Sequence, residues 1–377
     1  MTTSRNNSLR DALLHLAQFI NRKTTWLNWI KVRLGLGNIA EKCLVKKLTP
    51  QEIESTRRSL CTNLIEQQVK ELQRRNATKI NFYILLVQSI GDIIANEPIA
   101  RHLKTLSAAS TIHWIVNKNF RAILEANPYL DEIIPVNSLA EGEDHCKLLC
   151  STPGNIIVDC HFNGIVFDAN RKPHKNFANP NVNVYTHYYF GPLLSTFSLA
   201  AGLPPLNIQP VFYLRNGIKR PDFCVSHYIV FHCRSNETAR DWSNSKWNRL
   251  AESLTTKGWT IIEIGTKRII TENYNKRVID YTGQKDLQEL ATIVRDASLF
   301  IGVDSAFGHV ANCFKTPSII LLGKYKHFDT YLPYSGSFPD SDDFKILRAP
   351  FGHPASDIDF SDVATAVNDS LPATILI

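Results

Sequence analysis

The chain has 377 residues, of which 44% are hydrophobic and 20% are charged. This composition fits one large folded domain or two ordinary ones, and it excludes a disordered chain, a collagen and a coiled-coil rod. The net charge is +7, and the eight cysteines are too sparse for a disulfide scaffold. We therefore expect reduced cysteines in a cytoplasmic protein.

The positive charge is concentrated near the N-terminus. Residues 1–75 contain 14 Lys or Arg against 6 Asp or Glu, which leaves the rest of the chain near neutral. An enzyme of nucleic acids usually spreads its basic residues over the working domain, so we expect no nucleic-acid partner. No run of about 18 apolar residues predicts a membrane span. The basic segment suits peripheral contact with an anionic membrane at its inner face.

Residues 1–76 form a predicted helical extension. Thr49, Pro50 and Glu52 have the pattern of a helix start, and the helix is expected to continue to about Arg75. One use is packing on the body or in a homo-oligomer, for which residues 49–75 carry the apolar stripe Ile53, Leu60, Leu64 and Leu72. The other is membrane docking through the cluster Trp26, Trp29, Lys31 and Arg33. We favour packing for residues 49–75.

From residue 80 onward, apolar β-branched runs alternate with helical patterns, which predicts an α/β fold of two Rossmann-like, doubly wound domains. The predicted strands are residues 80–87, 112–116, 132–136, 155–159, 228–232, 259–265, 298–302 and 318–323. The first domain is expected over residues 77–205 and the second over residues 224–350. Residues 202–223 are interpreted as a linker with an edge strand at 211–214. The C-terminal helix, within residues 360–377, is expected to return to the first domain.

Ligands of such sheets bind beyond the carboxyl ends of the strands, so the strand ends supply the candidate site residues. Asp92 begins a helix after the first strand, where it suits either favourable helix-terminus charge or a general base. After the strand at 298–302, Asp304 or Ser305 is expected to cap a helix that starts at Ala306. The exposed N–H groups of that helix suit a phosphate, and His309 adds a donor.

The loop after residue 232 is the third candidate segment. Ser235 and Arg240 suit a diphosphate, although a solvated loop explains the same residues equally well. Gly265 ends a strand where a nucleoside can rest. The chain contains no GxGxxG, P-loop, HExxH or GxSxG motif. No group of carboxylates with metal-ligand spacing appears, so we expect neither a metal nor a cofactor.

Three segments resemble the bacterial ADP-heptose:lipopolysaccharide heptosyltransferases, glycosyltransferase family 9. They are residues 84–98, ILLVQSIGDIIANEP; residues 112–136, IHWIVNKNFRAILEANPYLDEIIPV; and residues 281–323, YTGQKDLQELATIVRDASLFIGVDSAFGHVANCFKTPSIILLG. The resemblance covers residues 80–350 and implies the two-domain GT-B fold. The sequence departs from the family pattern at Ala306, where glycine is usual, and at Arg240, where lysine is common.

The resemblance implies an inverting, metal-independent glycosyltransferase that uses a nucleotide-diphosphate sugar, with ADP-heptose favoured. Asp92 is then the catalytic base, while Ser235, Arg240, Gly265, Asp304, Ser305, Ala306 and His309 bind the donor. The acceptor is expected near residues 88–92 and 161–190, and it is a surface glycan, a glycolipid or a protein. A nucleotide-sugar epimerase of the same fold and a non-catalytic nucleotide- or glycan-binding scaffold remain as alternatives.

Overall fold

The computed structural model describes residues 51, 53, 63–77, 79–165, 173–176, 178–179, 181–284, 286–328 and 330–371. The predictions for residues 1–50, including the cluster around Trp26, lie outside these residues. Ser59–Ile165 and His174–Ile377 form one compact unit that contains two parallel sheets.

The first sheet has the strand order β3-β2-β1-β4 and is parallel throughout. Its strands are β1 (Asn81–Leu85), β2 (Thr111–Asn117), β3 (Glu132–Val136) and β4 (Asn155–Asp159). Alternate side chains of β1 enter different cores, since Phe82 and Ile84 pack on one face and Tyr83 and Leu85 on the other. All four strands lie where the apolar runs predict them.

The second sheet has the order β10-β9-β8-β5-β6-β7 and is also parallel. Its strands are β5 (Tyr228–His232), β6 (Thr260–Gly265), β7 (Val278–Thr282), β8 (Leu299–Val303), β9 (Ser318–Leu322) and β10 (Phe344–Arg348). The four inner strands were predicted, whereas the edge strands β7 and β10 were not. Most side chains of β7 and β10 are partly exposed, and a charged residue, Asp280 or Lys345, interrupts the apolar run of each strand.

Nine α-helices are found among the described residues. They are α1 (Leu64–Arg74), α2 (Ile90–Ala95), α3 (Pro98–Leu106), α4 (Leu139–Leu149), α5 (Leu193–Ala200), α6 (Asn244–Thr256), α7 (Leu287–Arg295), α8 (Ala306–Phe314) and α9 (Phe360–Ser370). Within the part of the chain that the structure describes, no helix has the length and apolarity that a membrane crossing requires.

Helix α1 packs against the body. Asn63 caps its first turn, Ile65 and Val69 are each 2% exposed, and the Ile65 N–H donates to the Gly202 carbonyl. Ile65 is therefore buried where the sequence predicted Leu64, and Leu72 is partly buried against the same core. For residues 64–74, packing accounts for the apolar stripe.

Two expectations about chain path were wrong. The C-terminal helix α9 packs on the second half, where Val363 and Val367 join the core that contains Trp242, and the Trp242 indole N–H donates to the Ile358 carbonyl. Residues 211–214 form no strand, because side chains bind their backbone instead. Glu97 accepts the hydrogen bond from the Val211 N–H.

The strand orders determine where a ligand can bind. In the first sheet the order in which the chain adds strands reverses between β1 and β4, and in the second sheet it reverses between β5 and β8. At such a switch point, the segments that follow the two neighbouring strands run in opposite directions. A crevice therefore opens between them at the carboxyl ends of the strands. The β1–α2 turn borders the first crevice, and the segments after β5 and β8 border the second.

Candidate functional site

One cavity of about 510 Å³ lies between these crevices. All eight residues predicted for the site line it: Asp92, Ser235, Arg240, Gly265, Asp304, Ser305, Ala306 and His309. The turn after β1 contributes Asp92, and the other seven residues lie at or beyond the carboxyl ends of β5, β6 and β8 in the second half. Sequence reasoning therefore brought together residues that are up to 217 positions apart in the chain.

Asp92 is the third residue of α2 and closes a capping box with Ser89. Its Oδ2 accepts hydrogen bonds from the Ser89 N–H and the Ser89 Oγ–H, both at 3.0 Å. Asp92 thus takes part in capping α2, in addition to the favourable helix-terminus charge considered from the sequence. Burial nevertheless raises the pKa of Asp92, although the two hydrogen bonds from Ser89 oppose that shift. A carboxylate with a raised pKa that lines a cavity is suited to accept a proton.

Helix α2 and helix α8 approach each other closely at the cavity. A β-carbon placed on Gly91 would lie 3.3 Å from His309 Cδ2 and 3.5 Å from the Ala306 Cα. A residue with a larger side chain would force the two helices apart. Glycine at this position lets the turn that carries Asp92 lie directly against the start of α8.

The N-cap of α8 is Ser305, yet its hydroxyl does not cap the helix. Instead the Ser305 Oγ lies 3.0 Å from Nδ1 of His232, at the end of β5. Burial lowers the pKa of His232 to about 4, so its ring is neutral near pH 7. The first turn of α8 therefore lacks the expected side-chain cap, and its N–H groups suit an anion in the cavity.

Asp304 does not cap α8 either; it forms a buried ion pair. Its Oδ2 accepts from Arg240 Nη1 at 3.1 Å and from the Tyr331 hydroxyl at 2.7 Å. Asp304 is 4% exposed, and the Arg240 guanidinium lies over the Tyr325 ring at 5.2 Å. Asp304, which the sequence predicted to bind the donor, is therefore placed to orient Arg240.

Arg240 keeps donor capacity beyond this ion pair. Its buried Nε has no hydrogen-bond partner among the described residues. Burial disfavours the guanidinium charge, but Asp304, Tyr331 and Glu237 outweigh it and raise the pKa of Arg240. Arg240 is therefore a fixed cation at the wall of the cavity, as a diphosphate site requires.

His309 is 3% exposed, and burial lowers its pKa to about 4. Its buried Nδ1 also has no hydrogen-bond partner among the described residues. The neutral ring still carries one N–H, so His309 can donate a hydrogen bond to a ligand without adding charge.

Ser235 and Gly265 are less directly available to a ligand. The Ser235 hydroxyl donates to the Glu237 carbonyl at 2.8 Å and lies 3.1 Å from Asp241 Oδ1, so it stabilises its own loop. Gly265 has a φ of +136°, and its carbonyl accepts from the Gly283 N–H at 2.7 Å. Gly265 therefore joins the ends of β6 and β7 at the cavity.

Several lining residues were missed by sequence reasoning. They include Asn119, Phe120, Arg234, Gln284 and Tyr325, whereas the lining residue Tyr188 lies in residues 161–190, where the acceptor was expected. Of the missed residues, Arg234 and Tyr325 lie within two residues of the end of a predicted strand, so only these two could have been predicted as site residues from their positions. Tyr188 lies in the short 3-10 helix His187–Phe190 and Tyr325 lies beyond the end of β9, and their ring centroids lie 5.6 Å apart.

A second polar cluster lies at the end of β4. Asp159, His161 and His174 each offer a metal-ligating atom, and these atoms lie within 4.8 Å of one another. The sequence did not predict this cluster, because its two histidines are 13 positions apart in the chain and follow no metal-ligand spacing. None of the three residues is in the cavity lining.

Comparisons with known proteins agree with the resemblance. Residues 169–338 match the model of glycosyltransferase family 9 (heptosyltransferase). A lipopolysaccharide heptosyltransferase 3 of Escherichia coli (strain K12) is 29% identical over 110 residues, which cover 27% of this chain and 32% of that protein. The match thus spans about a third of the length of that curated relative.

Solved structures show the same GT-B fold. A family 9 glycosyltransferase from Veillonella parvula has a TM-score of 0.57 and 16% identity, and the match covers 77% of this chain and 97% of that one. E. coli heptosyltransferase WaaC with ADP-2-deoxy-2-fluoro heptose gives 0.53 and 15%, covering 78% and 100%. The dodecameric iron-containing heptosyltransferase TibC with ADP-D-beta-D-heptose gives 0.54 and 14%, covering 77% and 76%.

Proposed function

We propose that this family 9 heptosyltransferase-like protein transfers a sugar, preferably heptose, from an ADP-linked donor to a hydroxyl of a bacterial surface glycan. One observation carries the proposal: Asp92 of the first half shares a cavity with Arg240 and the start of α8 from the second. The ADP-sugar ligands of WaaC and TibC support the choice of donor.

In the proposed reaction the acceptor oxygen attacks the anomeric carbon while the bond from that carbon to the diphosphate oxygen breaks. Asp92 takes the proton of the acceptor hydroxyl as general base. The departing diphosphate gains negative charge, which Arg240 and the N–H groups at the start of α8 stabilise. A single displacement of this kind inverts the anomeric configuration.

The same assignment makes the reaction independent of metal ions. Arg240 is a permanent cation at the cavity wall, and α8 adds the positive end of its dipole. These groups supply the stabilisation that a divalent cation supplies in other transferases. We expect a chelator to leave the turnover unchanged.

The acceptor side of the cavity is assigned to the first half. The β1–α2 turn, Asn119, Phe120 and Tyr188 line it there, and an aromatic ring suits the apolar face of a sugar. A lipid-linked acceptor would make use of the basic residues 1–75 for contact with an anionic membrane. A second copy of the chain, as in dodecameric TibC, is a further proposed partner.

The decisive experiment offers the protein ADP-, GDP- and UDP-sugars with and without a lipopolysaccharide-core acceptor, and identifies products by mass. Wild-type protein should extend the acceptor from one donor class only. Asp92→Asn should lose about 10²–10⁴-fold in turnover while it binds the donor normally. Asp144→Asn, at an exposed surface aspartate, is the matched control.

Other outcomes would identify other functions. A modified sugar or sugar nucleotide released without acceptor would support an epimerase. Nucleotide binding without product from any pairing would support a scaffold. Normal transfer by Asp92→Asn would remove Asp92 from the mechanism.

A further inference from the structure

The cluster at the end of β4 adjoins the backbone of the β1–α2 turn. In the sheet, Asp159 lies beside Leu85, the last residue of β1. Two residues later, the Val87 N–H donates to Nε2 of His161 at 3.2 Å, and both groups are buried. Val87 is two residues before Ser89, whose N–H and hydroxyl hold Asp92. The hydrogen bond from Val87 to His161, the backbone of the three residues 87–89 and the hydrogen bonds from Ser89 to Asp92 therefore connect His161 with Asp92.

The hydrogen bonds of the cluster define where its protons lie. Since Nε2 of His161 accepts a hydrogen bond, the ring proton of the neutral histidine is on Nδ1. That Nδ1 lies 3.2 Å from Asp159 Oδ1, which also accepts from the His161 backbone N–H at 3.0 Å. The carboxylate of Asp159 thus selects the tautomer of His161 that can receive the Val87 N–H.

His174 occupies the other oxygen of the same carboxylate. Its Nε2 lies 2.7 Å from Asp159 Oδ2, and its Nδ1 lies 2.5 Å from Glu143 Oε1. Carboxylate oxygens face both ring nitrogens, so both donate and the ring is an imidazolium. His174 is 7% exposed, and this pairing fixes the orientation of Asp159.

A metal ion is the competing explanation of the cluster. An ion bound to His161 through Nδ1 would move the ring proton to Nε2, where the Val87 N–H already points. The contact with Val87 would then become a repulsion between two donors. The hydrogen-bond pattern therefore favours a network without an ion.

We propose that His161 is a positioning residue for the transfer reaction: its Nε2 holds the Val87 N–H, and with it the turn that carries Asp92. Asp159 and His174 keep its ring in the required tautomer. This inference rests on the proposed function for its effect on turnover. The contact itself can be tested without activity.

Two substitutions distinguish the contact made by Nε2 of His161 from the contact made by Nδ1. In His161→Gln the amide reaches the Nε2 position and retains an acceptor for Val87. In His161→Asn the amide lies near the Nδ1 position, so it can contact Asp159 but leaves the Val87 N–H without its acceptor. We expect His161→Asn to reduce kcat by roughly 10–100-fold, because a misplacement of about 1 Å can have this effect. The donor KM should stay within about twofold, and His161→Gln should retain most of the turnover.

Hydrogen exchange provides the readout that does not depend on activity. The amides of residues 87–92 should exchange faster in His161→Asn than in wild-type protein, and close to the wild-type rate in His161→Gln. Nitrogen-15 NMR should find the His161 proton on Nδ1. Thermal unfolding of all variants identifies any loss of turnover that reflects unfolding.

The possible results are distinguishable. If wild-type protein transfers no sugar, the proposed function fails. Equal exchange and equal kcat in the two variants would overturn the inference even though the transferase is active. One equivalent of iron or zinc that copurifies with wild-type protein and is lost in His174→Gln would also overturn it, in favour of a metal site.

Discussion

Burial shifts the pKa of several titratable side chains at the cavity away from their ordinary values. Two histidines, His232 and His309, are neutral near pH 7 because burial lowers their pKa to about 4. Asp92 shifts in the direction that makes it a better base. The positive charge that lines this site therefore comes from its arginines, Arg240 and the exposed Arg234.

The first prediction concerns the pH dependence of transfer. Asp92 must be ionised to accept a proton, and its pKa is raised above the ordinary value of 3.8. Activity should therefore be complete above the raised pKa and fall as the pH decreases through it. The acid limb of kcat/KM against pH should lie above pH 3.8.

Ser89→Ala tests the same assignment. The Ser89 hydroxyl lowers the pKa of Asp92 by a hydrogen bond to the carboxylate, so its removal should move the acid limb to higher pH. An acid limb that is the same in both proteins would mean that another group controls the profile.

The second prediction separates two roles of Arg240. Arg240→Ala should weaken ADP binding by roughly 10–100-fold, the effect of one hydrogen bond to a charged group. It should also destabilise the fold by about 3 kcal/mol, because Asp304 is left buried without its cation. Calorimetric titration and chemical denaturation measure the two effects.

The double variant Arg240→Ala/Asp304→Asn is the control. It removes the unpaired charge, so stability should recover while ADP affinity stays low. Recovery of affinity as well would show that Arg240 acts only through the fold.

At the scale of elements, the site depends on where helices begin. Helix α8 begins at Ala306 with no side-chain cap from Ser305, and α2 begins with the capping box of Ser89 and Asp92. One helix start is therefore satisfied by its own residues, whereas the other retains N–H groups for an anion. Close packing of α8 keeps this arrangement in place.

The third prediction concerns that packing. A β-carbon on Gly308 would lie 2.3 Å from the Tyr334 hydroxyl oxygen, and Tyr334 is buried. Gly308→Ala should destabilise the protein by about 1–3 kcal/mol through overpacking, although alanine favours a helix. Tyr334→Phe removes the obstructing oxygen. The double variant should therefore be more stable than the sum of the single effects predicts in denaturant unfolding.

At the scale of the whole molecule, the Gln288 side chain of the second half binds the segment of chain that connects the two sheets. Gln288 donates from Nε2 to the Ala122 carbonyl at 2.8 Å and to the Tyr213 carbonyl at 3.3 Å. Its Oε1 accepts from the Arg215 N–H at 3.0 Å. One fully buried amide thus joins the first half, the linker and α7.

The fourth prediction follows from this junction. Gln288→Glu places an oxygen against two carbonyl groups and should reduce the free energy of unfolding by about 1–3 kcal/mol. Gln67→Glu, at an exposed position of α1, should change stability little. Equal effects of the two substitutions in denaturation would contradict the assigned role of Gln288.

Much of the architecture follows from local sequence. Strand β5 lies at residues 228–232, as predicted, and β9 at 318–322, within the predicted 318–323, because an inner parallel strand is buried on both faces and needs a continuous apolar run. The strand-end positions of Asp92 and His309 were predictable for the same reason. Parallel strands bring their carboxyl ends to one edge, so residues distant in the chain meet there.

Tertiary structure alone decided the partners of these residues. Asp304 pairs with Arg240 and Tyr331, and His174 reaches Asp159 from a loop, since hydrogen bonds between distant segments leave no periodic signal in the sequence. The edge strands β7 and β10 were missed because a charged residue, Asp280 or Lys345, interrupts the short apolar run of each. The side of the molecule that α9 covers was decided by packing, since Val363 and Val367 join the core that contains Trp242. The sequence thus determined the elements and the edge where the site forms. Packing determined which side chains there pair with each other and which, such as Arg240, keep a donor for a ligand.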